Sequence, residues 1–504
     1  MIVTPDNMKI IDLDTIKMGI SGIVLMEQAG IKCYNEIKKI YFEKNIRKII
    51  IFCGTGNNGG DGFVIARKLL LDNIDFEIYI VGNKEKISNE AKINYNILIN
   101  LGVEIKVFDK NICFENVFII DAILGTGIKG NLRKSYVEVI EKINKSNSFV
   151  VSIDVPSCLK SFKSFPLKDI FIIKANVTLA IGCYKTIFFD INGIRNIGEL
   201  KLIKLDFPEK ILKKNSNNIY INKFYKDDFL KLKKKDFVNK GSNGKIFIFA
   251  GSYKYSGAAI LAAKSAVECG AGLVFLLCPD VIQDIVKKNL PEVIVISLET
   301  ENNEIIYSNK NQILIKEYLD KTNSVIVGPG LSIGLDLKKL ILFIIKNTEN
   351  PILIDADGLN NISNDLSIIF DKSNIVLTPH PGELSRLINK NIDFIVNNRL
   401  EVLKLFPENI SIILKGKYSV IKLLKKQYVN FSGNSLLAVA GSGDVLSGII
   451  GTFLGKYKFD FAIKMGVYLH GYISDYLYRE KKYMFIKSSD IIDNIKNVIE
   501  FILK

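Results

Sequence analysis

Two tandem α/β domains, each built on a mostly parallel sheet, are predicted from three observations. Short apolar runs alternate with helical stretches along nearly the whole chain, the pattern of strands joined by crossover helices. The runs end repeatedly in Gly, Asp, Pro or His, residues suited to binding loops beyond the carboxyl ends of parallel strands. The alternation lapses once, over a polar, Lys-rich stretch from Asp206 to Asn239. At 504 residues the chain exceeds the ~100–200 residues of one domain. We place the domains at 1–207 and 236–504, with 208–235 as a linker.

The elements follow in order. Met8 to Tyr41 reads as helices interrupted around Gly19-Ile-Ser-Gly22. Lys48 to Cys53 is a strand, followed by Gly54-Thr-Gly-Asn-Asn-Gly-Gly-Asp-Gly62 and a helix through Leu71. Further strands are expected at Phe76–Val81, Val117–Ile120, Phe149–Ile153, Val177–Ile181 and Leu200–Lys204. In the second domain they are expected at Lys245–Ala250, Leu273–Cys278, Ser324–Val327, Pro351–Ile354, Ile375–Leu377 and Ser411–Leu414. Gly257 to Gly270 is an Ala-rich helix, and an apolar run from Val445 to Leu454 closes the pattern.

Composition excludes several classes. Hydrophobic residues at 48% and charged residues at 24% describe a globular protein. No apolar run approaches the ~18 residues of a membrane span, and the first residues lack the pattern of a signal peptide. The seven cysteines form no CxxC pair and only two histidines are present, so neither a disulfide framework nor a zinc site is implied. A cytoplasmic location is expected. The net charge of +15 is spread along the chain, so no nucleic-acid or membrane partner is expected.

Two loops carry the chemistry. Gly54-Thr-Gly-Asn-Asn-Gly59 matches GxGxxG between a strand and a helix, the context of a Rossmann-like nucleotide site. It departs from a dehydrogenase in two ways. The second strand ends Val81-Gly82-Asn83 without an acidic residue for the ribose, and Asp61 stands where a pyrophosphate would be repelled. Asp121 and Asp154 end two further strands. In the second domain, Gly441-Ser-Gly-Asp444 opens a helix. Its glycines let several N–H groups converge as an anion hole. A carboxylate beside such a hole suits a general base acting on a hydroxyl that receives a phosphoryl group. A helix N-cap would explain Asp444 without chemistry.

The ordered set of motifs resembles a known family. Gly22-Ile-Val-Leu-Met-Glu-Gln-Ala-Gly30, Gly54–Gly62, Asp121-Ala-Ile-Leu-Gly-Thr-Gly127 and Ser152-Ile-Asp-Val-Pro-Ser157 look like the NAD(P)H-hydrate epimerase domain. Lys240-Gly-Ser-Asn-Gly244, Gly257–Ala263, Gly328-Pro-Gly-Leu331, Asp355-Ala-Asp357, Thr378-Pro-His-Pro-Gly-Glu383, Lys415-Gly416 and Gly441–Asp444 look like the ADP-dependent NAD(P)H-hydrate dehydratase. The resemblance implies a Rossmann-like three-layer domain followed by a ribokinase-like α/β domain. It implies a bifunctional enzyme acting on NAD(P)H hydrate, with ADP as phosphoryl donor and magnesium expected beside it. A homo-oligomer is expected.

Residue roles are carried over by similarity. Asp154 and Asp444 would be catalytic. Asn57, Asn58, Gly59, Gly60, Asp61, Gly125, Thr126, Gly127, Ile128, Lys129, Gly130 and Asn131 would cradle the hydrate in the epimerase half, and Asn58, Asp121 and Ser157 would hold potassium. Epimerisation requires the C6 hydroxyl to leave and return, or the ring to open. In the dehydratase half, Ala258, Gly330, His380 and Asp444 would contact the hydrate. Lys415, Gly416, Lys417, Tyr418, Ser419 and Gly443 would contact the nucleotide. Cys158 stands where the family carries Gly; a positive φ there would strain the loop that presents Ser157. Two other readings remain open at this point. One is a kinase of a small alcohol with a non-catalytic N-terminal domain. The other is an N-terminal scaffold module.

Overall fold

Residues are described in a computed structural model except for 45, 47, 110, 113, 128–133, 161–170, 234–242 and 364. The chain divides into two compact units, Met1–Ile219 and Tyr220–Lys504. The stretch read as a linker contains regular elements. Glu209–Lys214 and Lys226–Leu230 are helical and Ile219–Asn222 is a strand. Each short helix buries one large apolar side chain, Ile211 and Phe229, too few to produce a periodic pattern. No helix among the described residues is long and apolar enough to cross a membrane.

The first unit opens with α1 (Pro5–Lys17) and α2 (Gly22–Lys44). Thr4 accepts a hydrogen bond from the Asn7 N–H and Pro5 takes the first helical position, which fixes where α1 begins. The sheet comprises β1 (Ile49–Cys53), β2 (Phe76–Ile80), β3 (Ile105–Val107), β4 (Phe118–Ala122), β5 (Phe149–Ile153), β6 (Val177–Ile181) and β7 (Glu199–Ile203). Their order is β3-β2-β1-β4-β5-β6-β7, and every pairing is parallel. Helix α3 (Asn57–Leu71) follows β1. Strand order reverses between β1 and β4, so the Gly54–Gly59 loop and Asp121 lie at the switch point, where open sheets bind ligands. Burial on both faces accounts for strands that are continuously apolar rather than alternating. Edge strand β3, Ile-Lys-Val with two exposed residues, went unread because it has no apolar run.

The second unit repeats the plan. Its strands are β8 (Lys245–Phe249), β9 (Leu273–Pro279), β10 (Ile294–Leu298), β11 (Ser324–Val327), β12 (Ile352–Ile354), β13 (Ile375–Leu377), β14 (Ser411–Leu414), β15 (Val420–Leu423) and β16 (Lys426–Asn430). Their order is β10-β9-β8-β11-β12-β13-β14-β15-β16. The strands from β10 through β14 pair in parallel and β15 and β16 add an antiparallel hairpin. Helices α4 (Ser256–Glu268), α5 (Pro381–Ile388), α6 (Ser442–Leu454) and α7 (Phe459–Arg479) complete the elements that bear on the site. The expected succession of two α/β domains, each on a mostly parallel sheet, is therefore present.

Gly54 illustrates how tightly the first switch point is built. A Cβ there would lie 1.8 Å from the Ile123 carbonyl oxygen, a backbone contact that cannot rotate away. Gly54→Ala is expected to destabilise the first unit by about 3 kcal/mol through overpacking, read as a lowered denaturation midpoint.

Candidate active sites

In the first unit a cavity of about 520 Å³ opens beyond the strand ends. Its walls include Asn57, Asn58 and Asp61 from the start of α3, Gly125, Thr126 and Gly127 after β4, and Asp154 after β5. Gly59 and Gly60 do not line it. A Cβ on Gly59 would meet the Gly54 oxygen at 2.0 Å and one on Gly60 would meet the Met26 side chain at 2.5 Å, so both allow close packing behind the loop. Ile128, Lys129, Gly130 and Asn131 lie outside the described residues.

Asp154 sits at φ 65°, in the left-handed region that aspartate tolerates better than most residues. Its carboxylate forms an ion pair with Lys185 and accepts the Ile181 N–H at 3.2 Å. The Lys185 ammonium also donates to the Ile181 carbonyl at 2.7 Å, and its side chain is 1% exposed. Such a buried ammonium is satisfied only while its carboxylate is charged. Lys185→Met is expected to cost about 2 kcal/mol in unfolding free energy, allowing for the partial exposure of Asp154; chemical denaturation measures it. Asp61 is buried, and its side chain makes no hydrogen bond to a described residue. Burial first, then the charges of Asp154 and Asp12, push its carboxyl well above the ordinary range. A shift in this direction weakens the repulsion of an anion expected from its charge.

Asp121 and Ser157 lie behind the cavity. The Ser157 hydroxyl donates to Asp121 Oδ1 at 2.5 Å, while the Ser157 N–H and the Ser152 hydroxyl donate to Oδ2 at 2.9 and 2.8 Å. Burial raises the Asp121 carboxyl pKa against these hydrogen bonds. Both polar atoms of the Asn58 side chain are buried without a partner among the described residues. A Cβ on Gly125, in the loop after the Asp121 strand, would lie 3.7 Å from the Asn58 amide oxygen; amide, carboxylate and hydroxyl oxygens are the donor types that suit a hard, weakly held cation. Among the described residues, no group of three or more His, Cys, Asp or Glu is arranged to hold a metal ion. Cys158 does adopt a positive φ, 72°. The cost, about 1 kcal/mol, is offset by burying its side chain beside Phe52 and Ile173 in one core cluster. Ser157 keeps its hydrogen bonds to Asp121.

In the second unit, the loops after the parallel strands converge. Gly330, after β11, approaches Ala258 of α4 closely enough that a Cβ on it would meet Ala258 Cβ at 2.8 Å. After β12, Asp355 is buried; after β14, Lys415 donates to it at 2.7 Å and lies 3.6 Å from Glu383. Burial acts to raise the Asp355 pKa, yet Lys415 and the Ser447 hydroxyl, 2.7 Å away, hold it below the ordinary value. Lys415 is raised despite burial, because Asp355 and Glu383 stabilise its charge. A Cβ on Gly443 would lie 3.6 Å from the Lys415 nitrogen, so the ammonium flanks the glycine turn. The rest of the Lys415–Ser419 loop is fixed by Arg399, whose guanidinium donates to the Lys417 carbonyl at 2.7 Å and the Tyr418 carbonyl at 3.2 Å.

Gly441, at φ 86°, is the N-cap of α6, with no side chain capping the helix. Asp444 occupies the first turn without acting as the cap. Burial, followed by the repulsion of Asp355, raises its carboxyl to about 7. His380 is the N-cap of α5. Its Nδ1 accepts the Gly382 and Glu383 N–H groups at 3.0 and 3.3 Å, and Glu383 accepts the His380 N–H at 2.7 Å. Nε2, 3.3 Å from Glu383 Oε1, is the nitrogen left to bear a proton. His380 is lowered by burial and by Lys415.

Several participants went unread in the sequence. Asp12 lines the first cavity, and Met8, Asp12 and Ile16 follow helical spacing on one face of α1. A carboxylate four residues from both Met8 and Ile16 was the available signal. Lys185 is one lysine among many, distinguished only by the apolar residues around Cys183-Tyr-Lys-Thr-Ile187. His470, in the apolar run of α7, is buried 3.2 Å from the Ser442 hydroxyl, and burial lowers its pKa to about 4.

Comparison with known proteins matches both units. Residues 246–497 match the family described as NAD(P)H-hydrate dehydratase, and residues 22–187 the family described as YjeF-related protein N-terminus. The chain is 33% identical over 498 residues to the bifunctional NAD(P)H-hydrate repair enzyme Nnr of Dictyoglomus turgidum, across 96% of this chain and 95% of that protein. It is 32% identical over 521 residues to the protein of the same description from Methanocaldococcus jannaschii, across 99% and 94%. For that of Moorella thermoacetica the identity is 31% over 498 residues, across 95% and 93%. Similarity through both halves does not favour a kinase with a non-catalytic N-terminal domain. The chain belongs to the family of bifunctional NAD(P)H-hydrate repair enzymes, which joins an epimerase to a dehydratase.

Proposed function

We propose that the second unit dehydrates NAD(P)H hydrate at the expense of ADP, and that the first interconverts the R and S hydrates. The observation that carries the dehydratase reading is Asp444, without a hydrogen-bond or ion-pair partner among the described residues and raised to about 7, in the first turn of a helix that opens on a glycine turn. Asp444 takes the proton of the C6 hydroxyl as its oxygen attacks the β-phosphorus of ADP. AMP leaves, and N–H groups of Gly441–Gly443 with the helix terminus stabilise the phosphoryl oxygens in transit. Phosphate is a better leaving group than hydroxide. The C6–O bond breaks with its electron pair going to phosphate, assisted by the ring nitrogen's lone pair. Loss of a C5 proton to solvent then restores the C5=C6 double bond of NAD(P)H. Ala258, Gly330 and His380 border the hydrate. Lys415, Gly416, Lys417, Tyr418, Ser419 and Gly443 border the nucleotide, with magnesium accompanying its phosphates.

In the first unit, Asp154 is the acid/base at C6. Asn57, Asn58 and Asp61, together with Gly125–Gly127, bind the hydrate. Potassium would be held by Asn58, Asp121 and Ser157; when bound, it supplies positive charge that neutralises Asp121 and steadies the Ser157 loop. Incubation with NADH hydrate and ADP should restore absorbance at the NADH band and release AMP in equal amount. No NADH, or NADH without AMP, overturns the dehydratase reading.

A further inference from the structure

The cavity of the first unit holds a second carboxyl group in addition to that of Asp154. Asp12 projects from α1, whose residues Met8, Asp12 and Ile16 line one side, whereas Asp154 and Lys185 belong to the strand ends. Asp154 is ion-paired to a buried ammonium. Asp12 has no hydrogen bond or ion pair among the described residues. Burial first, then the negative charge of Asp154, raises its carboxyl to about 7. Two carboxyl groups line one cavity, Asp154 paired with the Lys185 ammonium and Asp12 raised to about 7 without a partner among the described residues, an asymmetry that divides them naturally into a base and an acid. Asp61 is a less accessible acid, being only 9% exposed.

We propose that Asp12 is the general acid of the epimerase half, giving its proton to the C6 hydroxyl so that the oxygen departs as water. This rests on the epimerase reading above. The C6–O bond breaks and its electron pair leaves with the oxygen. The lone pair of the adjacent ring nitrogen forms a C=N bond to C6, leaving a flat, cationic centre. Water then adds to the other face, and Asp154 takes the proton released as the new C6–O bond forms. Solvent in the cavity returns that proton to Asp12, so no oxidant, reductant or further reactant enters. Placement of the two groups on different walls, helix and sheet end, suits departure and return on different faces of the ring.

The test uses the full chain with purified R hydrate in ¹⁸O-labelled water and without ADP, each rate corrected for the uncatalysed reaction. Wild-type protein is expected to form S hydrate carrying one ¹⁸O at C6. Asp12→Asn is expected to slow this at least ~10²-fold with KM within threefold of wild type, while dehydration of S hydrate with ADP is retained. A merely structural role would instead raise KM or lower the unfolding midpoint. Epimerisation by Asp12→Asn within threefold of wild type, or S hydrate formed without ¹⁸O, overturns the proposal and leaves the epimerase reading intact. Wild-type protein that does not accelerate epimerisation overturns both. Should Asp12→Asn fail to fold, Asp12→Glu decides: catalysis above the solvent rate supports an acid at this position, and none overturns it.

Discussion

Asp444→Asn lowers ADP-dependent dehydration by ~10³-fold, the loss typical of a missing general base. Asparagine keeps the volume and the helical position, so packing beside Gly441 and Lys415 is preserved and binding of ADP should change little. The wild-type rate is expected to climb about tenfold per pH unit below 7 and to level above it, because burial and Asp355 hold the Asp444 carboxyl at about 7 and only its ionised form accepts the hydroxyl proton. His470 titrates far below this range, at about 4, so it does not produce the rise. Stopped assays of AMP release between pH 5.5 and 8.5 measure both effects. A pH-rate profile that stays flat, or an Asp444→Asn enzyme within tenfold of wild type, removes Asp444 from the chemistry.

Asp154→Asn abolishes most of the epimerase rate, ~10²–10⁴-fold, while dehydration of the S hydrate continues. In a mixture of epimers, the ADP-dependent reaction then stalls once S is consumed, and R disappears only at the spontaneous rate. Asparagine is the informative replacement because it accepts the left-handed φ of 65°. It does leave Lys185 buried without a counter-ion, at a cost in stability. Adding Lys185→Met removes that stranded charge. The double variant should regain stability without regaining activity, which separates the chemical role of Asp154 from its ion pair. Chiral separation of the two hydrates over time provides the measurement.

Strand positions were legible because buried parallel strands are written as short apolar runs, and those from Phe149 to Ile153 and from Ser324 to Val327 coincide with β5 and β11. Less uniformly apolar strands were harder. β10 and the β15–β16 hairpin include exposed or polar positions and carry weaker patterns. Among site residues, sequence gave access to those presented by Gly-rich loops at strand ends, where backbone geometry demands particular residue types. Lys185 and His470 escaped because their roles arise from long-range burial. Asp12 escaped because a single acidic residue on a helix ordinarily faces water. Lys415 was read as a phosphate contact, but its buried partners Asp355 and Glu383 come from separate strand ends, a convergence that only the fold creates.

The left-handed Cys158 also bears on how this chain meets oxidants. Burial pushes its thiol up to about 12, so at pH 7.5 the nucleophilic thiolate is on the order of one molecule in ten thousand or fewer. Peroxide and alkylating reagents therefore find almost nothing to attack at the residue adjoining Ser157. An inactivation seen under oxidative conditions should be sought elsewhere in the chain.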